Sequence, residues 1–316
     1  MRAPLKLACV LLGLAILVAP AGALEQIWED PAAAATGQLT VEQIEQALRE
    51  LSSDEYARRA QASDRLRTHA DPRVLARLYD ALESDLSPET RMAVSSLLPT
   101  VRSAVGEKVM VKDFLILGPY PFPDGMQPRD HQETRDWLDL ATGVPSEGTL
   151  DPEAKLPLDP AKPKGKQLEW QRPYAGLQGS VDFTTLFKQR PEFANAFALT
   201  YVYSERPQSV RLWMGSDDGI AVWVSGTNVI WKDVQRGMSL DQDRAEAQLQ
   251  AGWNPVLIRI SQGWGGWALA LRITDRRGRP WPAKLIDPLC GGQPRPAVPA
   301  PKKPPVEAAE PAPADK

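Results

Sequence analysis

Residues 210–231 read Val-Arg-Leu-Trp-Met-Gly-Ser-Asp-Asp-Gly-Ile-Ala-Val-Trp-Val-Ser-Gly-Thr-Asn-Val-Ile-Trp. Two apolar runs of period 2 flank an acidic Asp-Asp-Gly turn, a pattern of half-buried β-strands joined by a tight connection. If Asp217, Asp218 and Gly219 form a three-residue hairpin loop, Gly219 takes the left-handed position and the register follows. Met214 then opposes Val222, and Leu212 opposes Val224, on the inner face. Trp213 and Trp223 become partners on the outer face, a cross-strand contact worth about 0.5–1 kcal/mol. Trp231 takes either face. A two-residue Ser225-Gly226 turn puts it inside, and a three-residue Gly226-Thr227-Asn228 loop puts it outside beside Trp223.

Two tryptophans together on an outer face call for a cover or a ligand. The cover is residues 127–166 or the helical region, packed over them. The ligand reading is a stacking platform for sugar rings formed by Trp213, Trp223 and Trp231. The adjacent carboxylates also have two readings. Asp217 and Asp218 supply hard oxygen donors suited to Ca²⁺, with Asp233, Asp241 and Asp243 as further donors by residue type. Alternatively Asp and Gly stand there because tight turns favour them.

Further strand signals lie at 109–117, 168–174, 180–183, 194–204, 208–215, 220–224, 229–232, 245–249, 254–261 and 267–274. They are short, numerous and separated by turn residues, which predicts an antiparallel β-sandwich of jelly-roll type over residues 107–287. Residues 127–166 are polar and Pro-rich and form a long excursion. Upstream, residues 40–106 are helical. Val41, Ile44, Leu48 and Leu51 share one face, and Thr40 with Gln43 makes a capping box. Residues 54–67 follow with Tyr56, Ala60, Ser63 and Leu66 or Arg67 inward. Asp71-Pro72 and Ser87-Pro88 start two more helices, the second with Met92, Val94, Leu97 and Leu98 inward. The fold class is therefore α+β and multidomain, a small helical domain before a sandwich.

At the ends, residues 1–23 have the layout of a secretory signal peptide: Arg2 and Lys6, an apolar run over 7–19, then Pro20 and small residues. The run is shorter than the ~20 residues that span a bilayer, so no transmembrane segment is expected after cleavage and the location is periplasmic or secreted. Cys9 precedes most of the apolar run, which disfavours a lipid anchor. Residues 24–39 read as a linker, and the Pro/Ala-rich 288–316 as a disordered tail. Cleavage leaves Cys290 as the single cysteine, so no internal disulfide forms. The net charge of −3 and the lack of a dense Lys/Arg cluster disfavour nucleic acid as a partner.

The repeated Arg-Ala face of residues 56–66 and the Pro-Glu-x-Arg start at 88–91 resemble HEAT-type helices. The phrases Gly215-Ser-Asp-Asp-Gly219 and Val222-Trp-Val-Ser-Gly226 resemble the protective-antigen-type lectin modules. With Phe114-Leu-Ile-Leu-Gly-Pro-Tyr-Pro121, Gly179-Ser-Val-Asp-Phe183, Leu249-Gln-Ala-Gly-Trp-Asn254 and Gly263-Trp-Gly-Gly-Trp-Ala-Leu-Ala-Leu-Arg272, residues 109–279 resemble a galactose-binding-like sandwich of secreted bacterial proteins. The resemblance implies that Asp217 and Asp218 are joined by a cis peptide and hold Ca²⁺ that binds sugar hydroxyls. Ser225 departs from it, standing where the lectins carry Asp or Asn.

Catalysis finds fewer parts. His69 and His131 are the only histidines, too few for a His-rich zinc site or a convincing serine triad. Glu147, Glu153 and Glu169 are the candidates for a glycoside-hydrolase acid pair. The expectation is a non-enzymatic protein that recognises carbohydrate or cell-envelope glycan. The rival is an adaptor whose sandwich and helices contact other proteins.

Overall fold

The structure is a computed structural model that describes residues 37–105, 110–123, 137–172, 179–188 and 192–304. The expected signal peptide with Cys9, residues 24–36 of the expected linker, His131, the start of the excursion and residues 305–316 lie outside the described residues. The chain separates into two compact units, 1–40 and 41–316, and only residues 37–40 of the first are described.

The second unit opens with four helices, α1 (Val41–Glu50), α2 (Tyr56–Thr68), α3 (Pro72–Glu83) and α4 (Pro88–Val105). Asp71 caps α3 by accepting from the backbone N–H groups of Arg73 at 2.7 Å and Val74 at 3.1 Å, and Ser87 Oγ accepts from Thr90 N at 3.2 Å. Each cap satisfies amides that a helix start leaves unpaired. The inward rows are Ile44 and Ala47, Ala62 and Leu66, Val74 and Leu78, then Val94, Leu97 and Val101. Three expected inward residues face solvent instead, Tyr56 at 77% and Met92 at 69% exposure, and Ala60. In α2 the apolar stripe is so narrow that small Ala62 carries the contact, and Tyr56 sits in the first turn beyond it.

Two antiparallel sheets follow. The five-stranded sheet has the order β1 (Leu115–Pro121), β6 (Ala194–Ser204), β11 (Gly252–Gln262), β8 (Ile220–Val224), β9 (Thr227–Lys232). The four-stranded sheet has the order β10 (Asp243–Leu249), β7 (Gln208–Asp217), β12 (Ala268–Asp275), β5 (Ser180–Asp182). A one-turn helix, α5 (Phe183–Leu186), follows β5. The main core lies between the sheets and is made of alternate residues such as Met214, Val222, Ile258 and Leu271, the arrangement that packs two sheets face to face.

The expected hairpin is overturned. β7 pairs with β10 and β12, and β8 with β11 and β9, so the Asp-Asp-Gly turn carries the chain from one sheet to the other. Met214 and Val222 do face inward, but across the core and not along a ladder. Trp213 and Trp223 lie on opposite outer faces of the sandwich and are not partners. Period-2 alternation is the same for a hairpin and for an arch between sheets. What differs is burial on both faces: all five residues of β8 are buried.

Each outer face has its own cover. The helices cover the four-stranded sheet: the Tyr79 ring centroid lies 5.0 Å from that of Trp213, and Asp80 accepts from Arg211 at 2.8 Å and Arg244 at 2.9 Å. The excursion and the C-terminal segment cover the five-stranded sheet, with Leu138, Val144, Leu150 and Val298 packed on Leu117, Phe197 and Leu257. The tail expected to be disordered is ordered through residue 304. Its strand β13 (Val298–Pro299) pairs with β2 (Thr149–Leu150), which precedes the short pair β3 (Leu156–Pro157) and β4 (Gln167–Leu168) in sequence, and Ala300 N donates to Gly148 O at 3.0 Å. Proline richness misled here because two-residue strands and single carbonyl bonds need no proline N–H.

Candidate functional site

The crossover turn is laced to the end of β11. Asp218 N donates to Ser261 O, and Ser261 N to Gly219 O, both at 3.0 Å. A Cβ on Gly219 would stand 2.5 Å from Ser261 Oγ, so this glycine is required for close approach. It does not take the left-handed conformation expected of it. The Asp217–Asp218 peptide is cis, as the resemblance implies.

The two carboxylates are held differently. Asp218, buried, accepts from Arg236 N at 2.7 Å through Oδ1 and from Gly263 N at 2.8 Å through Oδ2. Burial raises its pKa, while those amides and the Arg236 charge oppose the rise. Asp217 has less support: burial, then the charge of Asp218, push its pKa up to about 6, against one bond from the Met238 amide. Its Oδ2 lies 2.5 Å from where a Gly266 Cβ would be. Residues 263–266 thus close over the pair, leaving Trp264 exposed at 47%.

This set does not fit Ca²⁺. Such an ion takes six to eight oxygens, several of them carboxylate, and the expected donors are already engaged. Asp243 bonds Lys232 and Arg236, which hold its carboxyl low although burial pushes it the other way. Asp241 is buried in a fork with Arg272 at 2.6 and 2.9 Å. Asp233 turns one oxygen to Leu138 N at 3.4 Å. Among the described residues, no group of three or more Asp, Glu, His or Cys side chains gathers around one point. Around Asp218 and Asp243, arginine and lysine supply the positive charge that the resemblance assigns to a metal.

The tryptophans divide. Trp213 is sealed between the helices and the sheet, donating to Thr274 Oγ1 at 3.0 Å and lying over the Arg272 guanidinium at 4.2 Å. It offers no platform. Trp223 and Trp231 meet edge to face at 6.0 Å and 88° on the outer face of the five-stranded sheet. Trp231 reaches that face by a route outside both expectations. The turn is the two-residue Ser225-Gly226, with Val224 opposite Thr227, but a bulge after Trp223 inserts one residue in β9 and returns Trp231 to the outside, opposite Ala221. Asn228 Nδ2 pins the bulge to Val222 O and Ile230 O at 3.2 and 3.1 Å. One extra residue flips the faces of all that follow.

Trp223 and Trp231 form part of a cleft of about 730 Å³, within the size of ordinary ligand sites. Phe197 and Arg259 complete its floor, and residues 139–147 and 301–303 form its rim. Trp223 is nearly buried and donates Nε1–H to Lys302 O at 2.8 Å. Trp231 is half-buried and lines the cleft, with Lys303 Nζ 5.8 Å from its centroid. Of the acids considered for hydrolysis, Glu153 is paired with Arg295 and Glu169 with Lys155, leaving Glu147 on the cleft rim. The other acid of the lining, Asp139, is tied to Lys303 at 2.7 Å. Sequence reasoning missed Phe197, Arg259 and the strap 301–303. A charged Arg259 amid the apolar run of β11 was the available signal.

No family model matches the chain, and no curated protein does. Among solved structures it is similar to an anti-sigma factor domain-containing protein, at 15% identity over 34% of this chain and 39% of that one, with a TM-score of 0.29. It is also similar to a PA14 sugar-binding domain from an RTX adhesin, at 14% identity, 54% and 93% coverage and a TM-score of 0.28. A third is the epithelial adhesin 9 A domain of Candida glabrata, in complex with Galb1-3GlcNAc, at 7% identity, 51% and 81% coverage and a TM-score of 0.25. The chain spans 39% and 33% of the first two solved structures. Sugar-binding and adhesin domains are thus among its neighbours, at a likeness too slight to carry a function.

Proposed function

We propose that this is a secreted or periplasmic, non-catalytic protein that binds a glycan in the cleft over the five-stranded sheet, built as HEAT-like helices on a galactose-binding-like jelly roll. One observation carries the reading: the edge-to-face Trp223–Trp231 pair at the wall of an open cleft, with Trp231 half-buried and lining it. Sugar C–H faces pack on such a ring, and polar rim groups meet the hydroxyls. Rigid strands hold the aromatic wall, which lowers the ordering cost of binding. Binding proceeds without Ca²⁺, because the acidic donors near the Asp-Asp-Gly turn are paired internally.

The adaptor reading draws on the exposed Tyr56 and Met92 of the helices, which are single side chains and not a continuous patch. A polysaccharide panel read by calorimetry separates the two. The expected result is micromolar-to-millimolar binding to at least one glycan, weakened at least about tenfold by Trp231→Ala with the melting profile preserved. Tenfold corresponds to about 1.4 kcal/mol, within the worth of one aromatic contact. Binding to none of the panel, or equal binding by the variant, overturns the proposal.

A further inference from the structure

The outer face of the five-stranded sheet has one row that crosses all its strands: Leu117, Phe197, Arg259, Ala221 and Trp231, each paired with the next. Four of the five are apolar, and the fifth is a guanidinium. Arg259 stands between Phe197, over whose ring its Cζ lies at 5.4 Å, and Ala221. Two strand spacings of about 4.8 Å separate it from Trp231, and the small Ala221 keeps the row low between them.

Four arginines are buried among the described residues: Arg73, Arg211, Arg259 and Arg272. Three grip carboxylates, Arg73 through Asp71, Arg211 through Asp80 and Arg272 through Asp241. Arg259 has no carboxylate within ion-pair distance among the described residues. Its Nη2 donates to the backbone oxygen of Leu140, and its Nε has no acceptor. It is 8% exposed and lines the cleft. Burial lowers its pKa to about 10, with Asp139 and Asp233 opposing from outside ion-pair range. A buried cation with no carboxylate at ion-pair distance is costly, and an anion arriving from solvent relieves it. The cleft lining carries three cationic side chains, Arg259, Lys302 and Lys303, against Asp139 and Glu147. Asp139 is already neutralised by Lys303, and Glu147 stands exposed on the rim.

We propose that the cleft selects a saccharide bearing a carboxylate, a uronic acid residue, whose ring packs on Trp231 and whose carboxylate is drawn to the Arg259 guanidinium in the floor. This rests on the glycan reading above and names the class of sugar. The planar fork of arginine suits a carboxylate in a way that a hydroxyl does not reproduce.

The test uses matched pairs of uronic-acid and neutral oligosaccharides of equal length, namely glucuronic with glucose, galacturonic with galactose and mannuronic with mannose. Titrations use the wild type, Arg259→Gln and Arg259→Lys. The acidic member of at least one pair should bind the wild type at least tenfold more tightly, with an advantage that shrinks as NaCl rises. Arg259→Gln, which removes the charge and keeps a polar side chain, should lose that advantage, bringing the affinities of the two members to within about threefold of each other. Arg259→Lys should keep part of it. Should the Gln variant fail to fold, the wild-type preference and its salt dependence together with the Lys variant decide. Equal binding of both members by the wild type, or an equal loss for both in a folded variant, overturns this inference and leaves the glycan reading intact. Binding of no member sinks both.

Discussion

Replacing Asp217 by Asn removes one charge from a pair of carboxylates while keeping the oxygen that accepts from the Met238 amide. Burial first, and Asp218 second, raise the Asp217 pKa from 3.8 to about 6. The folded state therefore binds this proton more tightly than the unfolded chain does. The associated stability is fully present below pH 3.8 and is lost as pH rises through about 6, leaving an ionised, destabilising carboxylate at pH 7.5. At 1.36 kcal/mol per unit the shift corresponds to about 3 kcal/mol, and partial solvent contact trims it to about 1–2 kcal/mol. Urea unfolding at pH 7.5 should thus find Asp217→Asn more stable than the wild type by about 1–2 kcal/mol. The advantage should shrink from pH 6 downward and close below pH 4. A variant that is less stable at pH 7.5, or an advantage that does not change with pH, refutes the reasoning. The first outcome would mean that the ionised carboxylate has a favourable partner.

Two further outcomes are expected. Adding millimolar Ca²⁺ or EDTA should leave the melting temperature within about 1 °C, since a ligand stabilises only by binding the native state; an upward shift in Ca²⁺ that Asp217→Asn abolishes would restore the metal reading. Asp241→Asn should cost about 3–5 kcal/mol in denaturant unfolding by leaving Arg272 buried and uncompensated, and less on a Trp213→Ala background, because Arg272 and Trp213 share one contact.

The strand run of the sandwich was legible because turn residues punctuate nearly every strand from Ala194 to Asp275. Asp71-Pro72 and Ser87-Pro88 announced their helices by the chemistry of the first turn. Which strand pairs with which was not legible around Gly219, since a turn of three residues serves a hairpin and an arch alike. The face of Trp231 depended on a bulge held by Asn228, a side-chain bond with no periodic trace in sequence. The cleft was hidden for a further reason. Arg259, Phe197 and Trp231 are assembled by register across three strands, and the roof comes from residues 139–147 and 301–303, stretches whose composition reads as loop and tail. Asp217 and Asp218 were visible as a pair, but their surroundings of Arg236, Lys232 and backbone amides were not. That neighbourhood decides against a metal.

Trp213 sits at a seam and not at a surface. Its ring is wedged between Tyr79 of a helix and the guanidinium of Arg272 in the sheet, while Asp80 anchors two arginines from neighbouring strands. Cutting the chain before β1 would strip a cover from an indole and leave Arg211 and Arg244 without that shared counter-charge. The helices are thus a lid that keeps this face of the sandwich out of water. The opposite sheet, freed from that duty, is where the specificity of the proposed binding is able to change without unfastening the two halves.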